Sequence, residues 1–180
     1  MRRDRDPAGR PRNARPRDAL GRPLGRAGAG GEAEGGGEAR IPDDLALAGP
    51  EVARLADQLL RAGRPFHAHE VLEAAWKTGP ADERDLWQGL AQVAVGLTHA
   101  LRGNARGATA LLRRGSQRAR AYQGTYQDRT GSPSGPGRPY GIDLAAFLAA
   151  SDDLAARIER HGLAEIPAAD LRPGLTADVN

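Results

Sequence analysis

The 180-residue chain has no cysteine, which excludes disulfides, thiolate metal ligands and a cysteine nucleophile. Lysine occurs once, at Lys77, so arginine carries almost all of the positive charge. Long apolar runs are missing too. The longest uncharged stretch, 86–101, is 16 residues and holds two Gln and a His, too short and too polar to span a bilayer. The opening MRRDRD is not followed by an apolar segment, so no secretory signal is expected. There is no period-2 alternation, internal repeat, Gly-rich phosphate loop after a strand, nucleophile elbow or triad signature. A cytoplasmic protein with no membrane partner is the expectation, and a homo-oligomer is left open.

Composition divides the chain. Residues 1–40 hold 9 Gly, 4 Pro and 10 Arg with almost no large apolar side chains, too little to offset the entropy of ordering, so 1–49 is expected to be a disordered tail and linker. The net charge of +3 is +4 in residues 1–40 (10 basic, 6 acidic) and −1 in 41–180 (16 basic, 17 acidic). Such a tail attracts phosphates non-specifically, but acids interrupt it and it has no aromatic residue for base stacking. Nucleic-acid binding is therefore not expected. The folding unit is 50–162, with 163–180 as an irregular C-terminal tail.

Within that unit the apolar residues recur at helical spacing, and the reading is an all-α bundle of five helices, 51–62, 66–77, 81–101, 105–123 and 144–161. Gly63 and Gly162 are expected as stops and Asn104 and Asp143 as caps. The third helix should be central, because Leu86–Leu101 is uncharged. Its Gly89 and Gly96 lie seven apart and lower helix propensity by about 1 kcal/mol each relative to Ala; close helix approach would be a reason for them. The fourth helix should expose Arg106, Arg113, Arg114, Arg118 and Arg120, and 124–141 reads as a Gly/Pro/Ser linker.

The stretch Phe66–Trp76, FHAHEVLEAAW, puts ionisable groups among expected core residues. On a helical wheel Phe66, His69, Leu72, Glu73 and Trp76 share a face with Glu70 at its edge, while His67 points away and is expected in solvent. Gln88, Gln92 and His99 share a face of the next helix and could complete a polar seam. Three readings of the seam stand open: a hydrogen-bonded network that fixes helix packing; a divalent metal site (Zn, Mn, Fe or Ni) on His69, Glu73 and His99, with Gln88 and Gln92 orienting the ligands; and a metal-free acid–base site with Glu70 or Glu73 as base and His69 as proton carrier. Trp76 would wall the site in the last two.

These residues resemble a prokaryotic family known as domain of unknown function 309. Phe66, His69, Glu70, Glu73 and Trp76 carry its Phe and His-Glu-x-x-Glu-x-x-Trp pattern, followed by Gln88-Gly89-Leu90, Gln92 and His99. Gly103, Asn104, Gly107, Ala108 and Leu112 match its Gly-Asn-x-x-Gly-Ala-x-x-x-Leu stretch, and Tyr140–Asp143 is a weaker match. The resemblance implies a small all-helical domain and carries no established activity. A structural or binding module is the leading expectation, with Arg113, Arg114 and Arg118 on its partner-facing side; a hydrolase-like enzyme is the alternative.

Overall fold

A computed structural model describes residues 47–130 and 138–176, apart from the side chains of 124–130. The expectations for 1–46, 131–137 and 177–180 lie outside the described residues. The described residues form five α-helices: α1 (Gly49–Arg61), α2 (Pro65–Thr78), α3 (Arg84–Leu101), α4 (Ala105–Thr130) and α5 (Leu144–His161). Among the described residues the extended pairing is one isolated antiparallel bridge, Ile142 with Thr176. No described helix is long and apolar enough to cross a membrane.

Local chemistry explains the boundaries. Pro50 and Pro65 sit in first turns, where a missing N–H costs nothing. Gly63 takes φ +71° at the α1–α2 turn, a left-handed conformation that glycine adopts readily. Asn104 Oδ1 accepts from Gly107 N at 2.9 Å and Asp143 Oδ1 from Ala146 N at 3.2 Å, so both act as N-terminal caps. A single 3₁₀ turn, Ala81–Glu83, precedes α3. Helix α4 continues through Gly124 to Thr130, so this part of the expected linker is helix.

Helix α3 is the centre, packing most extensively on α4 and next on α2. Leu86, Trp87, Leu90, Val93, Ala94 and Leu97 are almost wholly buried. Glycine sets the α3–α4 distance. A Cβ on Gly89 would fall 2.7 Å from Ala119 N and 2.9 Å from Gly115 O, and one on Gly115 would fall 2.6 Å from Gly89 O. Gly96 sits against Leu112 N and Ala108 O in the same way.

Residues 163–176 run as two 3₁₀ turns, Leu163–Glu165 and Ala168–Leu171, and bury Ile166, Leu171 and Leu175. Their anchor is Asp57 on α1, itself buried. Asp57 Oδ1 accepts from Leu175 N at 2.6 Å and Thr176 N at 3.0 Å, and Arg61 Nε donates to Oδ2 at 3.0 Å. Arg61 Nη2 also donates to Thr176 O at 2.8 Å.

Gly89→Ala gains helix propensity of about 1 kcal/mol, but its methyl meets backbone atoms that cannot rotate away, at a cost of about 1–3 kcal/mol. A net loss of stability in urea unfolding is expected; a gain would show that the helices are free to separate. Asp57→Ala strands two backbone N–H groups and should cost about 1–3 kcal/mol, with faster amide exchange at Leu175 and Thr176 as its local signature.

Candidate functional site

Of the face expected to be buried on helix α2, only Leu72 is fully buried. Pro65, His67, Ala68, Val71, Leu72, Ala74 and Ala75 are buried, whereas Phe66, His69, Glu70, Glu73 and Trp76 are half-buried. His67, expected in solvent, is only 6% accessible and meets the Phe66 ring edge-on at 5.6 Å. The reason lies in packing on several sides: α2 touches both α1 and α3, so its buried arc is wide and excludes the polar stripe. Helix α3 has a matching half-buried stripe, Gln88, Gln92, Val95 and His99 at i, i+4, i+7 and i+11. Helix α4 adds Gly107, Leu111 and Arg118, also half-buried.

Two members of the α3 stripe are engaged with α4 or the turn before it. Arg118 Nη1 donates to Gln88 Oε1 at 2.7 Å and to Asp85 Oδ1 at 3.0 Å. At the other end His99 Nδ1 lies 2.7 Å from Asn104 Nδ2. Because Asn104 Oδ1 is taken by the Gly107 N–H, its amide nitrogen must face the imidazole; His99 Nδ1 is then the acceptor and, in the neutral ring, Nε2 carries the proton.

On α2, His69 Nε2 and Glu73 Oε2 are 3.6 Å apart, too far for a hydrogen bond. Glu73 Oε1 pairs with Lys77 Nζ at 3.0 Å, and Lys77 lies 5.9 Å from the centre of the Trp76 ring. Burial pushes the His69 pKa below its ordinary value, Glu73 opposes this and Lys77 adds to it. The imidazole is therefore neutral at pH 7.

The metal-ligand set of His69, Glu73 and His99 is not gathered. His69 and Glu73 approach each other, but among the described residues no group of three or more His, Asp and Glu side chains could hold a metal ion. Three buried polar atoms of the two stripes have no hydrogen bond among the described residues: His69 Nδ1, Trp76 Nε1 and Gln92 Oε1. Sequence reasoning singled out all three residues, with their polar groups satisfied in the network reading and Trp76 as a wall in the other two. It missed Arg118 and Asp85 as the partners of Gln88; the acidic first turn of α3 and the basic face of α4 were visible, though nothing in the sequence joins them.

Residues 54–111 match a family described as domain of unknown function (DUF309). This segment is similar to DUF309. The match runs from α1 into α4 and includes His69, Glu70, Glu73, Trp76, Gln88, Gln92 and His99, while Arg118 and Tyr140 lie beyond it. No curated protein and no solved structure matches the chain. The basic face of α4, outside most of the DUF309 match, is largely committed within the chain: Arg113 pairs with Glu159 at 2.5 Å, Arg120 with Asp152, and Arg118 as described.

Keeping His69 neutral contributes stability that is fully present above the ordinary imidazole value of 6.5 and is lost as pH falls from there toward the lower folded-state value. An NMR titration should place the His69 midpoint below 6.5, and Glu73→Gln, which removes the opposing charge, should lower it further. A midpoint at or above 6.5 would show an imidazole more solvated than its burial implies.

Proposed function

We propose that this helical domain is a binding module whose ligand or partner is held along the half-buried polar stripes of α2 and α3. The observation that carries this reading is the set of unsatisfied atoms at His69 Nδ1, Trp76 Nε1 and Gln92 Oε1. Each buried polar atom without a partner costs about 1–3 kcal/mol. Retaining three of them on adjoining helices is expensive for a packing network and reasonable for a site completed by something that binds. The indole N–H offers a donor and the Gln92 carbonyl an acceptor, so the occupant must present both, with Phe66 and Trp76 as apolar walls. Gln88 and His99, held by Arg118 and Asn104, would fix the rims. Glu70 and Glu73 make the α2 side acidic.

Gln92→Met keeps the shape of the side chain and removes the orphaned carbonyl. A binding site sacrifices stability for its ligand, so the isolated variant is expected to be more stable than the parent by about 1 kcal/mol or more in urea unfolding. A clear loss would mean that Gln92 is satisfied within the fold and would return the stripe to a packing role. A second reading, proton transfer by neutral His69 with Glu73, draws on their 3.6 Å approach; it requires that Glu73→Gln abolish turnover of a substrate while leaving stability unchanged.

A further inference from the structure

On another side of α2 lies a solvent-open cavity of about 300 Å³, lined by the first turn of α1, the last turn of α2, the start of α3 and Tyr140. Thr78, which lines it, is nine residues from His69, about 180° round the helix. The walls are apolar: Val52, Ala75, Pro80 and the rings of Trp87 and Tyr140. Among the described residues Glu83 supplies the only carboxylate of the lining. The carbonyl end of α2, capped at Gly79, also opens here and adds negative partial charge.

Glu83 is positioned with care. Its Oε2 accepts from Trp87 Nε1 at 2.8 Å and its Oε1 from the Tyr140 hydroxyl. A carboxylate has about four acceptor sites, so these two neutral donors leave it half-satisfied. No cation pairs with Glu83 among the described residues. Tyr140 stacks on Trp87 at 5.5 Å with 20° between the rings, and its other neighbour is Gly49, where a Cβ would fall 2.5 Å from the ring. The residue is held at φ 57°, ψ 26°, a left-handed conformation that costs a non-glycine residue about 1–3 kcal/mol and persists where the surroundings over-determine it, often at ligand clamps.

We propose that this cavity binds a small organic cation with an apolar body, an alkylammonium or alkylguanidinium group whose head pairs with Glu83 while its chain lies against the half-buried Leu47 and Tyr140. The volume is at the small end of the range of about 300–1,000 Å³ for ligand pockets, which suits a short chain. The charge is set by Glu83 and the α2 carbonyl end, and the apolar walls on the protein side strengthen the pairing.

The test is an NMR titration of the full chain, reading the indole N–H signals of Trp87 and Trp76. n-Butylammonium and n-butylguanidinium should shift Trp87 saturably and pentanoate should not. Glu83→Gln should weaken binding at least tenfold. Tyr140→Phe, which keeps the ring and frees one acceptor site on Glu83, should bind as well as the parent or better. Thr78→Phe, which fills the cavity from an exposed position without touching Glu83, should abolish binding even if Glu83→Gln fails to fold. Equal binding of n-butanol would overturn the assignment of charge. A shift at Trp76 instead of Trp87, or no saturable shift with either cation, would overturn the site.

Discussion

Backbone contact between α3 and α4 is the constraint from which the rest of the structure follows. With Gly89, Gly96 and Gly115 at the crossing, carbonyls and amides of one helix lie where side chains of the other would normally stand. Such close approach increases dispersion contact and leaves no room for adjustment, since packed interiors yield little. It also fixes the rotation of both helices. Once Gly89 and Gly96 face α4, Leu86, Leu90 and Leu97 turn to the core, and Gln88, Gln92, Val95 and His99 are left as the half-buried stripe.

That rotation gives the polar residues their environment. Gln88 and His99 are pinned at opposite ends of the stripe, one by Arg118 and one by Asn104, while Gln92 between them is not. Beside α3, His69 is buried enough to stay neutral even with a carboxylate 3.6 Å away. Desolvation here outweighs a single partly solvated charge. Half-burial is the property that matters: a fully exposed stripe would have its polar atoms satisfied by water, and a fully buried one would be too costly to leave unpaired.

The surface ion pairs have a different role. Arg113–Glu159 and Arg120–Asp152 tie α4 to α5, yet exposed, solvent-screened pairs of this kind add little to stability. They orient α5 more than they stabilise it. The stronger closure comes from Asp57, which gathers two backbone N–H groups of the C-terminal segment in a buried setting, where loss of a partner is felt in full.

The sequence by itself determined the five helices, because the 3.6-residue recurrence of apolar side chains and the punctuation by Gly63, Asn104, Asp143 and Gly162 are local properties. It also marked the stretch from His69 to His99 as the place where polar groups crowd a core, and the glycines of α3 as a crossing. Which face of α2 turns inward was decided by tertiary structure, because contact with both α1 and α3 widens its buried arc to take in His67 and leaves His69, Glu73 and Trp76 at the margin. The same holds for every partner distant along the chain. Arg118 meets Gln88 across 30 residues, Tyr140 meets Glu83 across 57, and Leu175 meets Asp57 across 118. Periodicity describes one helix at a time, and such pairings depend on the relative rotation and height of two, which only the packed core sets.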